Sequence, residues 1–118
     1  ASPGLRYGRY SRSGNVYLTT ATLDREPLFA DAANMAILID TLRFVERRGF
    51  GHSLAWVVMP DHLHWLMELR MARGYHDHAV RTDESLHEKA MYILANPVRA
   101  GLACVVREYP YAWCRWPL

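Results

Sequence analysis

The sequence predicts a single α+β domain, and three observations lead to this class. Segments rich in β-branched and aromatic residues alternate with segments whose apolar residues recur at helical spacing. Two of the strand-like segments are separated by only two residues, which is the length of an antiparallel hairpin turn. The length of 118 residues and the hydrophobic fraction of 51% suit one domain with one core.

The first half of the chain predicts a strand followed by a long helix. Residues 15–23 (NVYLTTATL) have the composition of a strand, and Pro27 interrupts the pattern after them. Asp31 is a candidate N-cap for the helix, and Gly49 is suited to end it. The apolar face of this helix is predicted to consist of Met35, Leu38, Ile39, Leu42 and Val45.

The middle of the chain predicts a buried hairpin. Residues 53–59 (SLAWVVM) form an unbroken apolar run, which is typical of a strand buried on both faces. Pro60 lacks an amide hydrogen and Asp61 favours turns, so the two predict a tight turn. Residues 62–69 are therefore expected to return as the second strand of the hairpin.

The last third predicts one more strand and one more helix. Residues 74–81 (GYHDHAVR) alternate in character and are predicted to be a strand. Thr82 or Asp83 is expected to cap a helix that stops near Pro97. The remaining residues are expected to form a turn, a short helix or strand, and an aromatic tail.

Composition and charge limit the cellular setting and the partners. The formal net charge of +2 permits a phosphate-rich partner without requiring one. Residues 1–14 are predicted to be a flexible basic arm; Arg9 and Arg12 are candidate DNA contacts, although a solvated tail is the favoured alternative. No apolar run is long enough for a membrane span, and no secretion signal is expected. Cys104 and Cys114 are expected to be ordinary thiols, although a disulfide between them stays open.

The first candidate for chemistry is the pair His62 and His64. Side chains at i and i+2 of a strand project to the same face, so the two imidazoles can share one divalent cation. An isolated His-X-His is more often a pair of half-buried polar residues. The position directly after the predicted turn, at the end of an apolar strand, instead favours an open site.

The second candidate lies on the late helix, where Tyr92 and Asn96 are four residues apart and share one face. The helical pattern alone predicts that Tyr92 is a core residue of an amphipathic helix and that Asn96 is its C-cap before Pro97. Combined with the histidines, Asn96 would supply an oxygen to the bound metal and the Tyr92 hydroxyl would serve as nucleophile. A metal beside a positioned hydroxyl suffices for phosphoryl transfer.

Several separate motifs together resemble the single-tyrosine HUH transposases, and specifically the REP-associated tyrosine transposases. The motifs are VVMPDHLHWLMEL, GYHDHAVR, YILANPVRAGL and YPYAW, in the order that the family has them. The resemblance extends from about Tyr17 to Trp113. It implies a ferredoxin-like sandwich, with a four-stranded antiparallel sheet and helices on one face.

The resemblance also implies an activity and a site. His62 and His64 would bind Mg²⁺ or Mn²⁺, Asn96 would complete the metal site, and Tyr92 would be the catalytic nucleophile. The family cleaves and rejoins single-stranded DNA, often beside a hairpin, through a 5′-phosphotyrosine that leaves a free 3′-hydroxyl. This implies a cytoplasmic, nucleoid-associated protein of bacterial type, and it leaves both a monomer and a homodimer open.

Further residues are candidates for contacts around this site. Arg81 and Arg99 are predicted phosphate contacts, with solvated surface charges as the alternative. His76 and His78 repeat the i, i+2 spacing and could form a second metal site, but they are expected to be structural polar residues or contacts near the site. The two tryptophans of the tail either stack on unpaired bases or pack against the sheet; these are Trp113 and Trp116.

The sequence is too short between the third and fourth predicted strands to form a helix that the fold requires there. A ferredoxin-like fold needs a helix between its third and fourth strands, but only residues 70–73 separate the corresponding predicted strands. We predict that a helical segment is missing there. A natural protein with a mass well above 13.6 kDa would support this, and a matching mass would contradict it.

Two other functions stay open. A metallophosphoesterase would use the two histidines and water, with Tyr92 only structural. A non-catalytic or domesticated nucleic-acid-binding domain would bind hairpins without cleaving them. The presence of His62, His64, Tyr92 and Asn96 together argues against the second alternative.

Overall fold

The computed structural model describes residues 15–71, 74–75 and 83–118, and shows an antiparallel sheet with helices on both faces. The strands are β1 (Asn15–Ala21), β2 (Gly51–Met59), β3 (His62–Met71), the short β4 (Gly74–Tyr75) and β5 (Ala112–Cys114). The helices are α1 (Ala32–Arg47), α2 (Asp83–Leu94) and α3 (Asn96–Arg99), with 3₁₀ turns at Leu23–Arg25, Leu28–Ala30 and Val106–Glu108. Four strands lie in the order β1-β3-β2-β5, which confirms the predicted α+β class and the four-stranded antiparallel sheet.

The predicted hairpin forms the centre of the sheet. Met59 pairs with His62 across a two-residue turn, so the turn lies where Pro60 and Asp61 predict it. Strand β1 pairs with the other side of β3, and Thr19 is opposite His64. The two histidines therefore lie on a strand that is held by neighbours on both sides, which limits their movement.

Helix α1 begins and ends as its terminal residues predict. The Asp31 carboxylate accepts hydrogen bonds from the backbone N–H groups of Ala33 and Asn34, which otherwise have no partner within the helix. At the other end, Gly49 has a φ of 75° and donates its N–H to the Glu46 carbonyl. Glycine takes this left-handed conformation without a steric cost.

The two long helices pack on opposite faces of the sheet, so the predicted placement of the helices on one face is wrong. Helix α2 covers the face to which Val57 and Leu66 point, whereas α1 covers the face of Val58 and Leu63. The physical reason is the place of β5 in the sheet. Because β5 pairs with β2 rather than with β1, a right-handed crossover from β3 to β5 puts α2 on the face opposite α1.

The fourth strand of the sheet is also not the predicted one. Of the predicted strand 74–81, only Gly74–Tyr75 is described as a strand, and it pairs with β3. The other residues of that prediction lie outside the described part of the chain. The fourth place in the sheet belongs to β5, which pairs with β2 from Ala55–Cys114 to Val57–Ala112. The missing helical segment stays a prediction.

The late helix stops close to where proline predicts its end. Helix α2 ends at Leu94, and α3 begins at Asn96 with the buried Pro97 in its first turn. Proline is tolerated there because a first-turn residue needs no N–H donor. Asn96 is therefore the first residue of a new turn of helix, and its side-chain amide also donates to the Ile93 carbonyl in the last turn of α2, which is the contact of a capping residue.

Two predictions about the cellular setting concern the described residues directly. Cys104 and Cys114 are both free, so the disulfide that the sequence left open is not formed. Among the described helices, none combines the length and the apolar character that a bilayer crossing requires.

Candidate metal centre and nucleophile

The two histidines lie side by side on β3, on the face that α2 covers. Their ring centroids are 4.9 Å apart and the rings meet edge to face at 82°. Both residues are half-buried. The i, i+2 geometry thus brings two imidazoles close enough to contact one ion, as their spacing on a strand predicts.

The orientation of His62 is held by the residue before it. Asp61 Oδ1 lies 2.6 Å from Nδ1 of His62, and Asp61 Oδ2 accepts a hydrogen bond from Arg25 at 2.9 Å. The bond to His62 and then the bond to Arg25 lower the pKa of Asp61, so its carboxylate is ionised at neutral pH. An ionised carboxylate only accepts, so neutral His62 carries its proton on Nδ1 and a lone pair on Nε2.

His64 is held by hydroxyl groups from β1. Its Nδ1 lies 2.8 Å from the Tyr17 hydroxyl and 3.3 Å from the Thr19 hydroxyl. Burial, and after it the nearby charges of His62, Arg99 and Lys89, lower the pKa of His64 to about 4. The ring is consequently neutral at pH 7, which is the form that binds metal ions.

The imidazoles of His62 and His64 can supply part of the ligands of a divalent metal site. Each imidazole has its Nδ1 against an oxygen partner, which is how metal-ligating histidines are usually oriented, with Nε2 toward the ion. Among the described residues, no group of three His, Cys, Asp or Glu side chains could hold a metal. Further ligands would therefore be an amide oxygen, water or an oxygen of the substrate.

Tyr92 is exposed on α2, although the amphipathic pattern alone favours a core position. Its exposed fraction is 59%, whereas the neighbouring Ile93 is fully buried. Lys89 Nζ lies 5.3 Å from the centroid of the Tyr92 ring, and the Arg99 guanidinium carbon lies 4.4 Å from it. An accessible phenol with two flanking cations can meet an anionic group.

Lys89 and Tyr17 connect the two parts of the site. Lys89 Nζ lies 3.9 Å from the centroid of the Tyr17 ring, and the hydroxyl of the same tyrosine contacts His64. A continuous series of contacts therefore runs from His64 through Tyr17 and Lys89 to Tyr92. The fold thus connects two candidates, His64 and Tyr92, that lie on different elements and far apart in the sequence.

Asn96 belongs to the same cluster through Arg99. Its Oδ1 accepts a hydrogen bond from Arg99 Nη2 at 3.0 Å, and its Nδ2 donates to the Ile93 carbonyl at 2.8 Å. Arg99 Nη2 also donates to the Tyr92 carbonyl at 2.9 Å. An amide oxygen has two lone pairs, so one is left for a metal. The ligand role of Asn96 stays a prediction.

Four residues of the site have no site role in the sequence-based prediction, although each has a sequence signal. Tyr17 and Thr19 have the same i, i+2 spacing on their strand as the histidine pair on its own. Asp61 directly precedes His62, and Lys89 is three positions before Tyr92 on the helix. What the sequence does not show is that β1 lies beside β3 in the register that pairs Thr19 with His64.

The tail tryptophans have different positions. Trp113 is paired with Trp56, whose side chain belongs to the core under α1. Trp113 therefore lies on the face of the sheet opposite Tyr92. Trp116 packs against the core under α2 and lies 5.3 Å from the His87 ring. Packing of Trp116 against the sheet is thus confirmed. Other predicted residues lie outside the described part of the chain: Arg9, Arg12, His76, His78 and Arg81.

Comparison with known proteins adds evidence at the level of the fold. No protein-family model matches this sequence, and no curated protein matches it. A solved REP-associated tyrosine transposase, bound to a REP hairpin, is similar in structure with a TM-score of 0.64 and 22% sequence identity. The match covers 91% of this chain and 81% of the transposase chain. At this identity, the likeness shows a shared fold.

Proposed function

We propose that this protein is a metal-dependent transposase that cleaves and rejoins single-stranded DNA, at or beside hairpins, with Tyr92 as the nucleophile. The observation that carries the proposal is the position of Tyr92. It is exposed, it lies between Lys89 and Arg99, and it is connected to the histidine pair by the contacts of Tyr17. The shared fold with a transposase bound to a DNA hairpin supports the choice of substrate.

The charges around Tyr92 favour a phosphodiester as the group it meets. Lys89 and Arg99 both act electrostatically on His64, so a divalent cation at the histidines would add a third positive group to one small region. Positive charges at this density repel one another unless an anion joins them. A DNA phosphate supplies that charge, and it presents oxygens to both the cations and the metal.

The reaction proceeds by exchange of one phosphate ester for another. Tyr92 Oη attacks the phosphorus, the bond from phosphorus to O3′ breaks, and the proton of the phenol is transferred overall to the leaving 3′-oxygen. The product is a 5′-phosphotyrosine and a free 3′-hydroxyl. Since an ester replaces an ester, a 3′-hydroxyl of another strand end can reverse the step without an energy source.

The residues on β3 prepare the electrostatic part of catalysis. His62 and His64 would hold Mg²⁺ or Mn²⁺ through Nε2, with the oxygen of Asn96 as a further ligand. When bound, such an ion neutralises charge on the non-bridging phosphate oxygens and assists the leaving group. Lys89 and Arg99 would bind the same phosphate and hold it next to Tyr92 Oη.

A covalent-adduct assay tests this function. The protein is incubated with Mn²⁺ and a labelled oligonucleotide that contains a hairpin with single-stranded flanks, and the products are separated under denaturing conditions. We expect a protein–DNA adduct that is absent in Tyr92→Phe and in the presence of EDTA. The matched control is Tyr111→Phe, which removes the hydroxyl of another exposed tyrosine and should keep the adduct.

The same assay distinguishes the other functions. Cleavage that persists in Tyr92→Phe would identify a water-using metallophosphoesterase. Hairpin binding without cleavage, and without dependence on metal, would identify a nucleic-acid-binding domain. Either result would contradict the proposed role of Tyr92.

A further inference from the structure

We propose that Tyr17 is a positioning residue that serves both halves of the site. Its hydroxyl orients His64 for metal binding, and its ring holds Lys89 beside Tyr92. The first part requires only that the histidines bind a divalent cation. The second part rests on the proposed function, because it identifies the group that Lys89 meets as a DNA phosphate.

The contact with His64 determines which ring nitrogen is available. Tyr17 is 7% exposed, and its hydroxyl lies 2.8 Å from Nδ1 of His64. A hydroxyl can either donate to Nδ1 or accept from it. When Nδ1–H donates to the Tyr17 oxygen, Nε2 carries the lone pair that a metal needs. With a metal on Nε2 the proton stays on Nδ1, and the Tyr17 oxygen is then its acceptor, as the carboxylate of Asp61 is for His62.

Thr19 provides an internal comparison for this contact. Its hydroxyl also faces Nδ1 of His64, but at 3.3 Å, which is long for a bond to a hydroxyl oxygen. A single Nδ1–H is best directed at one acceptor, and the shorter distance assigns it to Tyr17. Removal of the Thr19 hydroxyl should therefore matter less than removal of the Tyr17 hydroxyl.

The contact with Lys89 restricts a flexible side chain. Lysine has four rotatable bonds, and its ammonium group would otherwise sample many positions. Here Nζ lies 3.9 Å from the centroid of the Tyr17 ring and 5.3 Å from that of Tyr92. Because Tyr17 is buried on a strand, its ring gives the ammonium a fixed surface beside the nucleophile.

The proposed role of the Tyr17 hydroxyl is tested by the affinity for Mn²⁺, measured without DNA from the EPR signal of free Mn²⁺. We expect Tyr17→Phe to weaken Mn²⁺ binding by about 10–100-fold, as is usual when a partner of a metal-ligating histidine is lost. Thr19→Val should weaken binding less than Tyr17→Phe. Melting curves in EDTA verify that both variants are folded. Wild-type affinity in a folded Tyr17→Phe would overturn this part.

The proposed role of the Tyr17 ring is tested by the affinity for a single-stranded oligonucleotide, measured in EDTA by fluorescence anisotropy. Tyr17→Phe keeps the ring and should bind DNA like the wild type, whereas Tyr17→Leu should lose as much affinity as Lys89→Met. The double variant Tyr17→Leu/Lys89→Met should lose no more than either alone. Tyr17→Met, which also lacks the ring, repeats the measurement if Tyr17→Leu does not fold. Additive losses in the double variant would overturn this part.

The role of Tyr17 and the proposed function can be refuted separately. If no DNA adduct forms but Tyr17→Phe weakens Mn²⁺ binding, the transposase proposal fails and the role of the hydroxyl stands. If the adduct forms and depends on Tyr92, but all Tyr17 variants bind Mn²⁺ and DNA like the wild type, the function stands and the role of Tyr17 is wrong.

Discussion

Asp61 Oδ1 and His62 Nδ1 lie 2.6 Å apart, at the point where the turn of the central hairpin ends and β3 begins. The same carboxylate accepts a second hydrogen bond, from Arg25, which follows β1. Two oxygens of one side chain therefore connect the turn to both a candidate metal ligand and a neighbouring segment. This relationship makes the Pro-Asp turn part of the site as well as part of the fold.

Asp61→Asn should weaken Mn²⁺ binding by about 10–100-fold, because the amide no longer fixes the His62 proton on Nδ1. The matched control is Arg25→Gln, which removes the other hydrogen bond of Asp61 and should have a smaller effect. Titration of both variants with Mn²⁺, followed by EPR, measures the difference. Equal affinity in Asp61→Asn and the wild type would show that the contact does not orient a ligand.

Lys89→Met should reduce the affinity for single-stranded DNA and lower the slope of its dependence on salt. Loss of one phosphate contact reduces that slope by about 0.7 for a single strand. Arg43→Met is the control, because Arg43 is an exposed cation on α1, on the other face of the sheet. If both variants change the slope equally, DNA binding depends on overall charge rather than on the cations beside Tyr92.

Metal-free protein should lose stability as the pH falls from about 6.5 toward 4. In the unfolded chain a histidine takes up a proton near pH 6.5. In the folded protein His64 does so only near pH 4, chiefly because of burial. Protonation therefore favours the unfolded state in this window, and the free energy of unfolding decreases. Melting temperatures in EDTA should fall less steeply in His64→Asn than in the wild type, and equal slopes would contradict a half-buried, neutral His64.

Tyr92→Phe should leave the melting temperature nearly unchanged while it abolishes the DNA adduct. The side chain is largely exposed, and substitutions at such positions usually alter stability by no more than about 0.5 kcal/mol. Its neighbour Ile93 is fully buried, so Ile93→Ala should cost about 2–5 kcal/mol. Denaturant unfolding of the two variants checks this contrast. A large loss in Tyr92→Phe would indicate that the tyrosine is a core residue.

Much of the fold could be predicted because its signals are local. The cap of Asp31, the left-handed Gly49 and the turn at Pro60 and Asp61 each depend on a few consecutive residues. The placement of helices on one face was wrong because it depends on which strand the last strand joins. β5 pairs with β2, and no local pattern reports that choice.

The candidate site shows the same division. The sequence alone suffices to place His62 and His64 on one face of a strand, and Tyr92 and Asn96 on one face of a helix, because both periodicities are local. It also contains Tyr17 and Lys89 at suggestive spacings, but these spacings have no meaning until β1 is known to lie beside β3.

The sequence by itself determined the α+β class, the central hairpin and the pairs of side chains that share a face. Only the tertiary structure decided that α2 covers the histidine face, that Tyr92 is exposed there, and that Tyr17 and Lys89 connect the two halves. The physical reason is that local periodicity orients a side chain relative to its own backbone. Contact between side chains from distant segments depends on strand register and helix packing, which arise when the apolar faces are buried together.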